Sequence, residues 1–421
     1  MKKELFKQLI KEFHEKELPS LKRRNLSIPE TKKIVSLIGS RRSGKTFYFY
    51  QLIQDFLKNF PKERLLYINF EDDRILPLDV KELDNILEAY YELYPENKNT
   101  ELFLFFDEIQ NVENWEIYLR RIYDKERVKI FVTGSSSKMF SKEIATSLRG
   151  RTLAFNLFPL DFKEFLRFND ILLEKNTIYS SERFKIKKLF ERYLTFGGFP
   201  EVVLEENKLE YDILNNYFEI MIYRDIVERY SVRNINLLKM LSKFLLTNIS
   251  LQFSVNSYYN TLKKDISVSK ETILEYLSYL EEANLIFLLP LFSYSMKVQQ
   301  ANPKKVYCID TGLRNAISFK FSKDEGRLVE NLVFIELKMR NKEIYYWKNN
   351  NEVDFIIKNK DNSLEAINVS YTDDLDEREV KGLLEFKKKF RKIKKLVIIT
   401  KNMEKKENGI KFIPLWKWLL C

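Results

Sequence analysis

The residues best suited to chemistry form a glycine-rich stretch near the amino terminus. This stretch has the G-x-x-x-x-G-K-[ST] spacing of a phosphate loop, and it comprises Gly39, Ser40, Arg41, Arg42, Ser43, Gly44, Lys45 and Thr46. Backbone N–H groups of such a loop point at a phosphate, the lysine reaches the β- and γ-phosphates, and the threonine hydroxyl binds Mg²⁺. The chain has only 10 glycines in 421 residues, so two at this spacing indicate nucleotide binding rather than an ordinary turn.

A pair of carboxylates follows an apolar run further along the chain. Residues 102–106 are all apolar, and Asp107 and Glu108 come directly after them. Such a run is typical of a parallel strand that is buried on both faces. Asp107 would hold Mg²⁺ through water, and Glu108 would polarise the water that attacks the γ-phosphate. Two acids alone also fit a helix cap, but beside a phosphate loop they predict an enzyme that hydrolyses ATP with Mg²⁺.

Three more polar residues are candidates for contacts with the transferred phosphate. Ser135, or alternatively Ser136, follows a third apolar run and would hydrogen-bond the γ-phosphate or the attacking water, although a helix N-cap explains the serines equally well. Arg149 and Arg151 flank Gly150 before a further strand and would supply positive charge in the transition state. Surface positions are the alternative for both arginines, because most arginines are exposed.

The elements that must position these residues alternate between strands and helices. A helix is predicted over 47–57, directly after the phosphate loop. The strands are predicted at 34–38, 64–71, 101–106, 128–133 and 153–158. The predicted fold class is α/β, a P-loop NTPase with a parallel sheet of the additional-strand type, in which strand 128–133 lies between the strands that carry the phosphate loop and the acidic pair. A helical and winged-helix region and an α/β nuclease-like domain are predicted to follow.

These motifs together resemble a family of archaeal and bacterial AAA-type ATPases. The shared elements are G-x-R-R-x-G-K-[ST], D-E-[IV]-Q, T-G-S-S-S, L-x-G-R and P-L-x-F-x-E-F, followed by G-G-x-P at 197–200. The resemblance implies an ATPase core whose lid closes near Gly198. It also implies an arginine contact at Arg151, with Arg149 as the second choice.

Helical patterns replace the strand–helix alternation after residue 203. Three of them, at 235–249, 254–264 and 269–282, precede an apolar hairpin predicted at 285–290, and this order predicts a winged helix-turn-helix. The third helix carries four glutamates and one lysine, so phosphates would repel it and groove reading is doubtful. Its apolar residues are at core spacing, which favours packing or contact with a protein partner.

The last part of the chain resembles the C-terminal domain that accompanies this ATPase family. It begins with K-x-Y-x-x-D-x-G-L-R at 305–314, and a helix and strands follow in the order of PD-(D/E)XK nucleases. The resemblance gives Glu330 and Asp354 the first two metal-binding roles. Asn368 and Ser370 stand where that pattern requires glutamate and lysine. The domain is therefore predicted to be catalytically inactive, with Glu330 and Asp354 as structural acids.

The overall charge favours a nucleic-acid partner. The net charge is +11 and the pI is 9.1, and the densest basic stretch is 381–395. DNA binding is predicted at Lys387, Lys388, Lys389 and Arg391, with a solvated helix face as the alternative. Two cysteines and one histidine exclude a disulfide framework and a zinc site, and no apolar run reaches spanning length. A reducing cytoplasmic location without membrane contact is expected.

Four domains are predicted: an ATPase core at 1–160, a helical lid with a bridging helix at 161–230, a winged helix at 231–300 and a nuclease-like domain at 301–421. The predicted function is ATP hydrolysis coupled to DNA binding or remodelling, and an oligomer is possible. Two alternatives remain open. One is a nucleotide-dependent signalling or scaffold switch that binds protein through its C-terminal unit, and the other is an ATP-regulated DNA nuclease.

Overall fold

A computed structural model describes residues 2–134, 148–174, 177–318, 325–372 and 377–421. The chain divides into two compact units, Met1–Leu157 and Phe158–Cys421. No helix within the described ranges is both long and apolar enough to cross a membrane.

The first unit is built on a five-stranded parallel sheet with the strand order β2-β3-β4-β1-β5. Strand β4 lies between β1 and β3, as the additional-strand prediction requires. The strands are β1 (Ile34–Ile38), β2 (Leu65–Asn69), β3 (Leu102–Asp107), β4 (Val128–Gly134) and β5 (Thr152–Asn156).

Helices cover both faces of this sheet, which explains the continuous apolar runs. Along β3, Leu104 and Phe106 pack into one hydrophobic cluster, whereas Phe103 and Phe105 pack into another. Successive strand residues point to opposite faces, so a strand covered on both sides needs apolar residues at every position. The α-helices are α1 (Lys2–Glu15), α2 (Lys45–Phe56), α3 (Asp84–Leu93) and α4 (Trp115–Lys125), with short 3-10 helices at Lys62–Arg64, Val80–Leu83, Pro95–Asn99 and Ile109–Asn111.

The second unit begins with a helical region. The bridging helix predicted within 161–230 begins at Glu210, changes to a π-helical hydrogen-bonding pattern over Met221–Val227 and ends at Tyr230. The helices up to this point are α5 (Phe162–Phe168), α6 (Glu182–Phe196), α7 (Pro200–Val203) and α8 (Glu210–Ile220), with a 3-10 helix at Thr177–Tyr179. The next three are α9 (Ile235–Thr247), α10 (Val255–Leu262) and α11 (Lys270–Glu282).

A small antiparallel sheet accompanies helices α9 to α11. Its strands are β6 (Gln252–Phe253), β7 (Ile286–Leu289) and β8 (Lys304–Cys308), in the order β6-β8-β7. The predicted hairpin within 285–290 is wrong, because this apolar segment is one strand and its partner β8 comes only after α12 (Met296–Ala301). The predicted domain boundary between residues 300 and 301 therefore falls between two strands that pair.

A mixed six-stranded sheet completes the second unit, in the order β13-β14-β12-β11-β10-β9. Strand β12 pairs in parallel with both β11 and β14, and the remaining pairs are antiparallel. The strands are β9 (Glu343–Lys348), β10 (Glu352–Lys358), β11 (Leu364–Ser370), β12 (Ile393–Thr400), β13 (Lys405–Glu407) and β14 (Ile410–Pro414). The helices are α13 (Thr311–Ile317), α14 (Glu325–Met339), α15 (Glu377–Lys389) and α16 (Leu415–Leu419).

Candidate functional site

The phosphate loop connects the end of β1 to the start of α2. Gly39 lies so close to the backbone that an added Cβ would stand 2.1 Å from the carbonyl oxygen of Leu157. Gly44 has φ of 95°, a conformation that side chains disfavour, and α2 begins at the next residue. Both glycines are therefore required by the backbone path. The loop also contains Arg42 at a positive φ of 65°.

Two serine hydroxyls of the loop are buried without a partner. The Oγ atoms of Ser40 and Ser43 have no hydrogen-bond partner among the described residues, although both side chains are fully buried. Buried hydroxyls normally have partners, so unpaired ones in a glycine loop are suited to donate hydrogen bonds to a ligand. Arg24 supports the loop from outside, because its Nη1 donates to the carbonyl oxygen of Ser43 at 2.7 Å.

The carboxylate of Asp107, at the end of β3, accepts hydrogen bonds from three hydroxyl groups. Thr46 Oγ1 donates to Asp107 Oδ2 at 2.7 Å, and the hydroxyl of Tyr67 donates to the same oxygen at 3.0 Å. Thr133, which is fully buried near the end of β4, donates to Asp107 Oδ1. Burial, followed by the neighbouring charge of Glu108, raises the pKa of Asp107 above its ordinary value. A nearby cation would reverse this effect, so the carboxylate is placed to gain from one.

Glu108 is held between a lysine and an amide. Its Oε1 lies 3.2 Å from Lys45 Nζ, and Gln110 Nε2 donates to its Oε2 at 2.5 Å. Its backbone N–H donates to Thr133 Oγ1 at 2.8 Å, and its backbone has a positive φ of 51°. Burial alone would raise the pKa of Glu108. The charge of Lys45 and the Gln110 hydrogen bond instead hold this pKa below its ordinary value. The carboxylate is therefore ionised at neutral pH.

The predicted residues of the phosphate loop and of the acidic pair thus meet at the carboxyl edge of the parallel sheet. Lys45 is 4% exposed, and besides Glu108 its Nζ contacts the carbonyl oxygens of Gly39 and Ser40 at 3.2 and 3.3 Å. Arg41 forms an ion pair with Glu71 at 2.8 Å. Ligands of open α/β sheets bind at this edge.

Arg149 and Arg151 do not join this group. Arg151 precedes β5, and its carbonyl oxygen accepts a hydrogen bond from Ile34, the first residue of β1. The guanidinium group of Arg151 binds the carboxylate of Asp124 in a bidentate pair at 2.9 Å. The phosphate loop starts at the opposite end of β1, roughly 13 Å away, so the structure does not bring Arg151 together with the loop, and the nucleotide contact of the two arginines stays a prediction.

Ser135, the predicted γ-phosphate contact, lies outside the described residues. The structure instead identifies three polar residues that the sequence analysis missed, namely Thr133, Tyr67 and Gln110. The signal for Gln110 was present, because it belongs to the D-E-[IV]-Q element. Thr133 and Tyr67 lie on two of the predicted strands, and only the sheet order brings their hydroxyls to Asp107.

A second polar centre is buried in the second unit. The ammonium group of Lys305, a residue that is 2% exposed, lies 2.9 Å from Glu330 Oε1, 3.0 Å from Asp354 Oδ1 and 2.6 Å from Glu352 Oε1. Tyr307 donates to Glu330 Oε1 at 2.7 Å. Burial alone would lower the pKa of Lys305. The neighbouring carboxylates instead hold this pKa above its ordinary value. A lysine therefore supplies the positive charge at the position that the nuclease resemblance gives to a metal.

Asn368 has a structural role next to this centre. Its Oδ1 accepts from the backbone N–H of Asp354 at 3.0 Å, and its Nδ2 donates to the carbonyl oxygen of Glu379 at 3.0 Å. A glutamate could accept the first hydrogen bond but has no donor for the second. Asn368, which stands where the nuclease pattern has glutamate, thus connects strand β10 to helix α15. Within the described ranges, no group of three or more histidine, cysteine, aspartate or glutamate residues is arranged to hold a metal ion.

The predicted DNA-binding residues lie on the surface of the second unit. Lys387, Lys388 and Lys389 form the exposed last turn of α15, and the exposed Arg391 follows the helix. None of the four has a carboxylate within 4.0 Å among the described residues.

Comparison with known protein families divides the chain into three consecutive parts. An AAA domain model matches residues 31–166. Two models for domains of unknown function, DUF8612 and DUF4143, match residues 187–324 and 325–418.

Two relatives match nearly the whole chain. The uncharacterized protein MJ1544 of Methanocaldococcus jannaschii is 40% identical over 408 residues, which are 92% of this chain and 88% of the relative. An uncharacterized protein of Haemophilus influenzae is 30% identical over 400 residues, or 94% of this chain and 96% of that protein. The chain belongs to the family of these two proteins. Members of the MJ1544 family thus occur in an archaeon and in a bacterium.

Solved structures with a related arrangement include the Walker-type ATPase PABY2304 of Pyrococcus abyssi. It is 15% identical, with 75% of this chain and 95% of that chain covered and a TM-score of 0.43. The Orc1 protein of Aeropyrum pernix, solved in complex with DNA, is 12% identical with a TM-score of 0.30 over 75% and 90% of the two chains.

The match to the AAA domain model and the parallel sheet with its phosphate loop agree with the prediction for the first unit. This member of the MJ1544 family contains an AAA-type P-loop domain in its first unit. The models that match residues 187–418 have no assigned function, so the winged-helix and nuclease-like identities stay predictions.

Proposed function

We propose that the protein binds and hydrolyses ATP at the carboxyl edge of its parallel sheet. The observation that carries this proposal is the convergence of Lys45, Thr46, Asp107 and Glu108 at that edge. The unpaired hydroxyls of the loop and the glycine that admits no Cβ are suited to a phosphate chain.

The residues present also fit Mg²⁺. Thr46 Oγ1 and Asp107 Oδ2, which lie 2.7 Å apart, are the oxygen ligands that this cation prefers. Bound Mg²⁺ would neutralise charge on the phosphate oxygens. Thr133 and Tyr67 fix the orientation of the Asp107 carboxylate through their hydroxyl groups.

Glu108 is the proposed base that orients the attacking water. In the structure its negative charge is balanced by Lys45 at 3.2 Å. Phosphate oxygens of ATP compete for the same ammonium group, because a lysine of a phosphate loop binds the β- and γ-phosphates. Once Lys45 turns to the phosphates, the Glu108 carboxylate is released to accept a hydrogen bond from water. The ion pair between Lys45 and Glu108 therefore keeps the proposed base occupied until ATP binds.

We assign Ser135 a γ-phosphate contact, as its position after β4 predicts. The two arginines at 149 and 151 remain candidates only for a nucleotide bound to a neighbouring copy of the chain. ATP turnover as a function of protein concentration tests this assignment, because a contribution from a neighbouring copy requires assembly. A specific activity that stays constant down to the monomer would exclude it.

The C-terminal unit is proposed to bind DNA and to change its interaction with DNA during the ATP cycle. Helices α9 to α11 and the antiparallel strands β6 to β8 support a winged helix-turn-helix, in which helix α12 lies between the paired strands β7 and β8. The acidic third helix makes groove reading doubtful, and its Ile273, Leu277 and Leu280 are buried. The basic stretch after residue 386 is the better candidate for contact with phosphates.

Replacing Lys387, Lys388, Lys389 and Arg391 together by glutamine is expected to weaken DNA binding equally for all sequences. Each lost phosphate contact lowers the slope of log affinity against log salt by about 0.9 for duplex DNA, so the slope should flatten clearly. Fluorescence anisotropy at several salt concentrations measures both effects.

The matched control removes the same charge elsewhere on the second unit. The exposed residues Lys185, Lys188, Lys208 and Lys342 are suitable for this purpose. Equal affinities of the two glutamine variants would show that the basic stretch is a solvated surface, and would favour the signalling switch. ATP turnover measured with and without saturating DNA tests the coupling itself, and identical rates would contradict it.

The nuclease-like domain is proposed to be catalytically inactive. Lys305 supplies the positive charge between Glu330 and Asp354, and Asn368 is engaged with two backbone groups. Purified protein is expected to leave linear, forked and supercoiled DNA intact in Mg²⁺ or Mn²⁺, with or without ATP. Gel electrophoresis checks this, and cleavage that disappears in Asp354→Ala would establish the ATP-regulated nuclease instead.

A nucleotide-dependent switch that binds protein is the second candidate function. The observation that favours it is the acidic helix α11, on which Glu271 and Glu275 are exposed. Two further glutamates of this helix are structural, since Glu281 accepts from the backbone N–H of Leu288 at 3.2 Å and Glu282 accepts from the hydroxyl of Tyr230.

A further inference from the structure

The segment that connects β7 to β8, residues 290–303, is fixed against the six-stranded sheet. The backbone N–H of Phe292 donates to the carbonyl oxygen of Tyr346 at 2.6 Å. Its ring is buried, and it lies 5.3 Å from the ring of Phe390 and 6.1 Å from that of Phe386. The segment therefore has an aromatic anchor at the end of helix α15.

Tyr294, two residues further on, is 79% exposed. Its ring packs near Phe390 and Phe292 in steeply tilted pairs, at centroid distances of 6.1 and 5.6 Å. The backbone beside it is also fixed, because Gln299 Nε2 donates to the carbonyl oxygen of Ser293 at 2.6 Å. An aromatic ring held in this way while most of its surface faces water is suited to stack against a ligand.

This ring stands next to the densest positive charge of the chain. Phe390 lies within residues 387–395, which include seven basic residues and no acidic one. A hairpin that contains Gly409 lies next to this stretch, since Lys387 Nζ is 3.6 Å from the position that a Cβ would take on Gly409. This hairpin adds to the positive charge. That hairpin, formed by β13 and β14, carries the exposed Lys406 and Lys411.

We infer that Tyr294 and the basic stretch form one surface that binds single-stranded nucleic acid. The lysine and arginine groups bind the backbone phosphates, and an unpaired base stacks on the ring of Tyr294. In a duplex both faces of each base are covered by neighbouring bases, so an exposed ring beside cations gains most from a single strand. This inference rests on the proposed DNA role for the class of partner. It adds that the nucleic acid bound here is single-stranded.

Anisotropy titrations of the full-length protein with a labelled oligothymidine strand and with a duplex of equal length test this surface. Tyr294→Ala is expected to weaken binding of the single strand about tenfold, whereas Tyr294→Phe, which keeps the stacking face, should stay within about twofold of the unmodified protein. Duplex binding should change little in either variant. Tyr179→Ala is the control, because Tyr179 is 72% exposed in the same unit and its ring lies against Lys417 rather than against Phe390.

The outcomes separate this surface from the proposed function. Tenfold weaker single-strand binding in Tyr294→Ala alone supports the surface. Equal single-strand affinity in Tyr294→Ala and the unmodified protein overturns it, as does binding of the duplex without binding of the single strand, and both results leave the DNA role intact. Absence of binding to either form overturns the surface and the DNA role together, while the ATPase proposal is decided separately by turnover.

Discussion

Glu108→Gln is expected to retain ATP while its turnover falls about 100-fold or more, because the carboxylate is the group proposed to orient the attacking water. Removing the carboxylate also removes the ion pair to Lys45, which lies 3.2 Å away in the structure. ATP affinity should therefore stay the same or increase, since the lysine is freed for the phosphates. Phosphate release and a binding titration with ATP measure the two effects.

Lys45→Ala should lose both ATP binding and turnover, because its ammonium group is the proposed contact to the β- and γ-phosphates. Glu101→Gln is the matched control for the glutamate change, since Glu101 is exposed and directly precedes the same strand β3 at its other end. Unchanged turnover in Glu108→Gln would show that this residue is not the base. Loss of turnover in Glu101→Gln would show that the effect reports on folding of β3.

Lys305→Met is expected to destabilise the second unit by about 3–5 kcal/mol, because it leaves buried carboxylates without their cation. The lysine lies within 3.0 Å of oxygens from Glu330, Glu352 and Asp354. Calorimetry measures the loss. Lys338→Met is the control, because Lys338 is half-buried against the ring of Phe287 and should tolerate an apolar replacement.

The pH dependence distinguishes a charge effect from a packing effect. Burial, with the charge of Asp354, raises the pKa of Glu330 from 4.5 to about 7. A raised carboxyl pKa stabilises the fold at low pH, and this contribution is lost as the pH rises through the folded-state pKa. The melting temperature of the unmodified second unit should therefore decrease between pH 4.5 and 7 on account of this group. Glu330→Gln should flatten that decrease, and the double variant with Lys305→Met should recover part of the lost stability.

A loss of stability in Lys305→Met that is equal at all pH values, with no recovery in the double variant, would contradict the electrostatic role. The same result would weaken the argument that Lys305 takes the place of a metal. Asn368→Glu would lose the hydrogen bond to Glu379 and add a further negative charge to this centre.

Several elements of the fold followed from local patterns. Glycine and lysine spacing marked the phosphate loop, and continuous apolar runs marked strands β1 to β4 to within one or two residues. The strand predicted at 153–158 begins and ends slightly earlier, at Thr152–Asn156. The hairpin predicted at 285–290 failed because an apolar run shows that a strand exists but not which strand pairs with it.

Local sequence patterns predicted some of the site residues but not others. Asp107 and Glu108 were predictable because their chemistry depends on a strand end that the sequence displays. Thr133 and Tyr67 were not, because their hydroxyls reach Asp107 only through the order β2-β3-β4 of the sheet. Arg151 was assigned to the nucleotide from a motif, but its strand starts at the end of the sheet that faces away from the phosphate loop.

The sequence by itself determined the chemistry of the phosphate loop, because the eight residues of the motif are contiguous and their backbone conformation is set by two glycines. Tertiary structure alone decided which cation balances the buried acids of the second unit. Lys305 is 25 residues from Glu330 and 49 from Asp354, and no periodicity within one element relates them. Their ion pairs exist because strands from two sheets and a helix bring three charges into one dry interior, where each charge requires the others.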